Sequence, residues 1–116
     1  MKSIERKAEI VSTSKIMVLP ENRKEWCLTM AALLEQIRRE EGCRTYRFYS
    51  EAENQNSFML IGEWATRAAL EEHLKSDHFA VLLGSLRLLT NRSKLDFCLL
   101  SHIPGIEALA RARRVS

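Results

Sequence analysis

The spacing of apolar residues along the chain predicts helices that alternate with strands. From Pro20 to Gly42, apolar residues recur at intervals of four, three and four, which is the period of one buried helix face. The proline suits the first turn of this helix, and the glycine is expected to end it in a left-handed conformation. Thr66 is the predicted N-cap of a second, short helix, and Asp77 is that of a third. The predicted buried face of the first helix consists of Trp26, Met30, Leu33, Leu34 and Ile37.

Four further segments have the composition of β-strands, at residues 9–19, 43–49, 58–64 and 94–103. Together with the helices they give the order β-α-β-β-α-(α)-β. This order predicts an α+β fold of the ferredoxin-like split βαβ type with an antiparallel sheet. We expect a single domain over residues 1–116, with an ordered core at about 9–103, because a chain of this length forms one core.

The third and fourth predicted strands are apolar on both faces. In the third strand, Phe58 and Leu60 lie on one face, while Met59 and Ile61 lie on the other. An antiparallel sheet covered by helices on one face only should be polar on its other face. We therefore expect a two-fold homodimer in which the sheets of two chains face each other.

Composition and charge restrict the partners and the location. The net charge of +3 comes from basic residues near both ends, which we interpret as solvated tails and not as a nucleic-acid-binding arm. No apolar run approaches the ~18 residues of a membrane span, and the first residues lack the apolar stretch of a signal peptide. Cys27, Cys43 and Cys98 show no C-x-x-C spacing, so we expect reduced, half-buried cysteines in a cytoplasmic protein.

The candidate chemistry is concentrated between residues 63 and 83. Trp64 ends a predicted strand, His73 lies on the following helix, and His78 and Phe79 open the next one. Ligand pockets often open at such element ends. An imidazole in an apolar pocket can take a proton from a weak carbon or oxygen acid. The alternative is that His73 is a structural residue of its helix, hydrogen-bonded to the backbone.

No metal or nucleotide cofactor is expected from the residues. His73 and His78 are five residues apart, no cysteine or carboxylate stands beside them at ligand spacing, and His102 lies on another predicted strand. None of the four glycines forms part of a phosphate-binding loop.

The most specific pattern is an aromatic residue followed nine positions later by one histidine and five positions after that by another. With this pattern, the chain from about Glu9 to His102 resembles the antibiotic-biosynthesis monooxygenase family of dimeric α/β barrels. That family includes quinol monooxygenases and small autoinducer-processing isomerases. The segments that carry the resemblance are Glu41-Gly42-Cys43 with Tyr46, Glu63-Trp64, Ala69-Leu70-Glu71-Glu72-His73-Leu74 and Ser76-Asp77-His78-Phe79.

The resemblance implies a homodimer with a pocket between each sheet and its helices. It also implies oxygen chemistry with no metal, flavin or haem, in which a small hydrophobic aromatic substrate itself supplies the electrons to O2. Carried over to this sequence, His73 becomes the candidate catalytic base. Trp64, Phe79 and Leu83 become substrate-binding residues of the pocket wall, and His78 becomes a second polar group.

The sequence departs from the family pattern in one place and from its haem-degrading branch in several. Gly62 stands where many relatives have a glutamate, with Glu63 next to it. The haem-degrading branch has tryptophan in place of His73, its ligating histidine in place of Leu83, and an asparagine in the first strand. Residues 9–19 contain no asparagine, so haem binding is not expected.

Two other functions stay open. An isomerase of the same family would use His73 as a proton shuttle and would consume no oxygen. A non-catalytic dimeric module would bind a small hydrophobic ligand without converting it, since a fold does not fix a function. RNA binding through the split βαβ topology is disfavoured, because the sequence contains no Lys/Arg-Gly-aromatic run.

Overall fold

A computed structural model describes residues 10–91 and 96–101. Its four strands form one antiparallel sheet in the order β2-β3-β1-β4, which confirms the predicted ferredoxin-like α+β fold. The elements are β1 (Ile10–Met17), a 3-10 turn (Pro20–Asn22), α1 (Arg23–Ile37), β2 (Cys43–Ser50), β3 (Ser57–Trp64), α2 (Arg67–Leu74), α3 (Asp77–Leu89) and β4 (Asp96–Ser101).

The core lies between the helices and one face of the sheet. The predicted apolar face of α1 is fully buried, and its Trp26 packs against Phe58 of β3 with ring centroids 5.9 Å apart. On the sheet, Ile16 of β1 pairs with Phe58, and Ile10 pairs with Trp64. All of these side chains are buried, so the first helix and the central strand pair form the base on which the site is built.

Several element boundaries differ from those predicted. Gly42 adopts the expected left-handed conformation with φ of 82°, but α1 already ends at Ile37, and turns fill the residues between. The N-cap of α3 is Ser76 and not Asp77, because the Ser76 hydroxyl accepts a hydrogen bond from the Phe79 N–H while Asp77 is the first helical residue. Residues 1–9 and 102–116, which include Glu9 of the first predicted strand and His102, and the outer parts of the predicted strand 94–103 lie outside the described residues.

A β-bulge in β2 changes which residues face the helices. Cys43 pairs with Trp64, whereas Thr45 pairs with Glu63, so one residue is inserted between the two pairs. Strict alternation from Cys43 would place Tyr46 on the far face of the sheet. The bulge instead places Tyr46 opposite Gly62, on the face covered by the helices.

The opposite face of the sheet has no helix against it among the described residues. Met59 and Ile61 of β3 lie on this face and are half-buried, and Tyr49 of β2 is 50% exposed there. Cys98 of β4 is exposed, which corrects the expectation that all three cysteines are half-buried.

Candidate functional site

Two capped helix starts hold the candidate residues in place. The Thr66 side chain accepts a hydrogen bond from the Ala69 N–H and begins α2 as predicted. The eight residues of α2 then place His73 in its last turn. Ser76 begins α3 directly afterwards, so Phe79 lies in the first turn of α3 and beside His73.

The His73 imidazole is buried in a box of aromatic rings. It is 3% exposed and stacks on the Trp64 indole with a centroid distance of 4.6 Å and an interplanar angle of 30°. Phe79 meets it edge-on at 5.2 Å, and the Tyr46 ring lies 5.6 Å away. The Trp64 indole N–H in turn donates to the Ser12 hydroxyl at 3.4 Å. The orientation of the imidazole is therefore fixed by packing on several sides.

The carboxylate of Glu40 accepts a hydrogen bond from each of the two histidines of the site. Glu40 Oε1 lies 2.7 Å from His73 Nδ1, and its Oε2 lies 2.8 Å from His78 Nδ1. An ionised carboxylate only accepts hydrogen bonds, so the Nδ1 of each histidine carries a hydrogen and donates it to Glu40. His73 Nε2 makes no hydrogen bond with any residue in the described part of the chain. This arrangement leaves a lone pair on Nε2 of the neutral imidazole.

Burial lowers the pKa of His73 below its ordinary value of 6.5, and the nearby His78 lowers it further. The hydrogen bond and the negative charge of Glu40 oppose this effect without overcoming it. His73 is consequently neutral at pH 7 and able to accept a proton.

An apolar cavity of about 380 Å³ lies between the sheet and the helices α2 and α3. Its volume is at the small end of the ~300–1,000 Å³ found for ligand pockets. Leucines of the two helices form one side, while hydroxyl-bearing residues of β1 and β2 form the other. The residues that line it are Ser12, Ser14, Tyr46, Leu70, His73, Leu74, Phe79, Leu82, Leu83 and Leu86.

A second, larger hollow of about 660 Å³ lies on the Glu40 side of His73. It is an open depression that includes Glu40, Glu41 and Glu72. Of the two, the apolar cavity is the better candidate for catalysis, because a base is more effective among apolar walls and because Nδ1 is already bonded to Glu40.

Three of the five predicted site residues line the apolar cavity, and two do not. His73, Phe79 and Leu83 line it, and Leu83 is 46% exposed. Trp64 is completely buried and does not line the cavity, since it lies beneath the imidazole that does. His78 also lies off the cavity, with its side chain 37% exposed and bonded to Glu40.

Sequence reasoning missed two residues of this site. Glu40 is 33 positions from His73, and its only sequence signal is an acidic residue just before the Gly42 turn. Tyr46 belongs to the family pattern, but the sequence does not indicate that it reaches the cavity, because the β2 bulge that turns it inward leaves no mark in the hydrophobic pattern.

The described residues also bear on metal binding and on thiol chemistry. Within residues 10–91 and 96–101, no three His, Cys, Asp or Glu side chains are grouped to hold a metal ion. Burial raises the pKa of Cys43 to about 11, and the charge of Glu40 adds to this rise while Arg38 opposes it. Cys43 is therefore a thiol at neutral pH and a poor nucleophile.

The fold and the site define a small α+β protein with a buried neutral histidine beside an apolar cavity. The family model described as "Antibiotic biosynthesis monooxygenase" matches residues 10–82, more than half of the chain. The chain belongs to this family, which confirms the resemblance found in the sequence.

The relatives agree with this assignment. The chain is 34% identical over 70 residues to "Uncharacterized protein sll1783" of Synechocystis, a match that covers 60% of the chain and 48% of that protein. The chain thus spans about half the length of this relative. It is 31% identical over 70 residues to "Putative monooxygenase YcnE" of Bacillus subtilis, covering 60% of the chain and 74% of that protein.

Solved structures show the same fold. A conserved protein from Methanosarcina mazei Go1 superposes with a TM-score of 0.77 at 26% identity, over 84% of this chain and 96% of that one. A crystal structure of an antibiotic biosynthesis monooxygenase superposes with a TM-score of 0.74 at 24% identity, over 82% and 99% of the two chains. At the identity of this second match, the likeness shows the fold alone.

No helix among the described residues combines the length and the apolar character needed to cross a bilayer.

Proposed function

We propose that this protein is a cofactor-independent monooxygenase that oxidises a small quinol-like or polyphenolic molecule with O2. One observation carries the proposal. His73 is buried and lines an apolar cavity, its Nδ1 is held by Glu40 at 2.7 Å, and its Nε2 has no hydrogen-bond partner among the described residues. Membership of a monooxygenase family supports the reaction type.

The reaction begins with proton transfer from a substrate hydroxyl to His73 Nε2. The resulting oxyanion is electron-rich and gives one electron to O2, and the superoxide and substrate radical combine at a ring carbon as a peroxide. His73 returns its proton to the distal peroxide oxygen. Loss of water from the H–C–OOH group then leaves a carbonyl, so one oxygen atom enters the product and the other leaves as water. All four electrons come from the substrate.

The remaining predicted site residues have supporting roles in this proposal. Phe79 and Leu83 contact the substrate in the cavity. Trp64 supports the imidazole from below through its 4.6 Å stack, and His78 steadies Glu40 from the solvent side. The walls are mostly apolar, so the substrate loses its hydration when it enters, and its anion becomes a stronger electron donor.

The test is oxygen uptake with a panel of quinols and polyphenols. His73→Ala should lower turnover by roughly 10²–10⁴-fold, which is the usual contribution of a general base. Added imidazole should restore part of the activity, because the substitution leaves space for it. Lys75→Ala, an exposed change beside the end of α2, is the control and should retain full activity.

Three outcomes would contradict the proposal. Turnover without oxygen uptake would indicate the isomerase, in which the same Nε2 moves a proton between two substrate carbons. Binding without turnover across the panel would indicate a ligand-binding module. Full oxygen uptake by His73→Ala would exclude this residue as the base.

We further propose that the chain acts as a homodimer in the cytoplasm, with the sheets of two copies facing each other. The support is the far face of the sheet, where Met59 and Ile61 are only half-buried and no described helix covers them. A facing copy would remove these side chains from water, at about 25 cal/mol for each Å² of apolar surface.

A further inference from the structure

The Tyr46 hydroxyl is a polar group at the apolar cavity that the proposed reaction has not yet used. Tyr46 is 5% exposed and lines the cavity, with its ring 5.6 Å from that of His73. No hydrogen bond joins its hydroxyl to another residue within 10–91 or 96–101. Because Tyr46 lines the cavity, a molecule bound there is the natural partner for its hydroxyl.

Two features of the backbone bring Tyr46 to this position. The bulge in β2 turns its side chain towards the helices, opposite Gly62 of β3. A Cβ atom on residue 62 would lie 2.7 Å from Tyr46 Cδ2 and 2.9 Å from Ser12 Oγ. Only glycine at position 62 leaves room for the tyrosine ring to lie against β3. The site therefore depends on Gly62 as well as on the bulge.

We infer that the Tyr46 hydroxyl donates a hydrogen bond to the oxyanion of a hydroxyarene bound in the cavity, after His73 has taken the hydroxyl proton. The inference rests on the proposed function for the role of His73 and names the substrate class more closely, as a hydroxyarene bound as its anion. The ligand O–H bond breaks, its proton moves to His73 Nε2, and no electron is transferred in this step.

The electrostatics of the site agree with a donor role. Burial raises the pKa of Tyr46, and the neighbouring Cys43 and Glu40 raise it further, so the hydroxyl keeps its proton at neutral pH. A fixed donor in a water-poor site stabilises a developing negative charge more strongly than water does. The Ser12 hydroxyl accepts from Trp64, which leaves its own proton free to serve as a second donor from the sheet.

The experiment measures the ionisation state of a bound probe. 2-Naphthol is titrated into the protein at pH 8, and absorbance gives the ratio of ionised to neutral probe in the complex. Tyr46→Phe should lower this ratio by roughly tenfold, as expected for the loss of one hydrogen bond to a charged group. Tyr49→Phe is the matched control, because Tyr49 lies on the same strand but is 50% exposed on the far face, and its ratio should equal that of the wild type.

The result separates this inference from the proposed function. A lowered ratio in Tyr46→Phe supports it even if no quinol in the panel consumes oxygen. An unchanged ratio overturns it, as does a wild-type protein that binds no 2-naphthol or binds it only in the neutral form. If Tyr46→Phe does not fold, the hydroxyl proton of Tyr46 is followed by NMR in the wild type. A downfield shift on binding supports the inference, and an unchanged shift overturns it.

Discussion

At the scale of single residues, the site depends on how the polar imidazole of His73 is stabilised among aromatic rings. An imidazole surrounded by Trp64, Phe79 and Tyr46 has lost its contact with water, and an unpaired polar atom in such a place costs ~1–3 kcal/mol. Glu40 supplies the partner for Nδ1, at 2.7 Å, and thereby determines the tautomer. Nε2 has no partner among the described residues, which is the arrangement expected of a base that acts on a bound molecule.

The pH dependence of turnover follows from the state of His73. Because burial lowers the pKa of His73, the neutral base predominates above that pKa and is lost as the pH falls through it. We expect kcat/KM to be constant at neutral pH and to fall on the acid side with a midpoint below 6.5. Oxygen uptake measured from pH 4.5 to pH 8 checks this expectation, as a ~10-fold loss per pH unit below the midpoint.

The substitution Glu40→Gln tests whether Glu40 raises the pKa of His73 against the effect of burial, and the pH profile of kcat/KM is again the measurement. Glu40 raises the pKa of His73 through its hydrogen bond and its charge, so its neutralisation should move the acid midpoint to lower pH and lower the plateau. Glu72→Gln removes an exposed carboxylate from the same helix as His73 and should leave both unchanged. A midpoint that stays in place in Glu40→Gln would mean that this carboxylate has no electrostatic part in the site.

At the scale of elements, the turn at Gly42 determines how closely α2 approaches the strand β2. Its φ of 82° lies in the left-handed region, and a Cβ atom there would collide with Ala69 Cβ of α2. Glu40 lies two residues before this glycine, and His73 lies one turn after Ala69. The same close approach therefore brings the carboxylate and the imidazole within hydrogen-bonding distance.

Two glycine substitutions distinguish the contribution of the Gly42 turn to stability from that of helix propensity. Gly42→Ala should destabilise the protein by at least about 1–2 kcal/mol, because alanine is strained at this φ and also displaces α2. Gly84→Ala should stabilise it by about 0.5–1 kcal/mol, because position 84 is helical and a Cβ there meets no atom within 4 Å. Urea unfolding of both variants gives the free energies, and a neutral Gly42→Ala would refute the account of this turn.

The elements were largely predictable from the sequence because each has a local signal. The apolar spacing from Trp26 to Ile37 predicts α1, and Thr66 predicts the start of α2. The predicted cap of α3 differs from the observed one by one residue, since Ser76 and Asp77 are both good caps and only the backbone decides between them. The site was less predictable. His73 was found from its aromatic neighbours in sequence, whereas Glu40 reaches it only through the packing of distant elements.

At the scale of the whole molecule, the helices and the sheet enclose the apolar cavity while the far face of the sheet has no cover among the described residues. Val11, Met59 and Ile61 on that face are half-buried, although the residues between them on the same strands point into the core. A monomer would keep this apolar surface in water. The proposed facing copy would cover it, which would account for the apolar residues on both faces of β3.

The oligomeric state in solution tests this explanation. Light scattering after size exclusion should give twice the chain mass of 13.4 kDa. Ile61→Lys places a charge in the middle of the far face and should give a single-chain mass, because an unpaired charge in an apolar interface is costly. Leu88→Lys is the control, since Leu88 is 75% exposed on α3, away from the sheet, and the dimer should persist. A wild-type protein with the mass of one chain would leave the far face in water and exclude the facing arrangement.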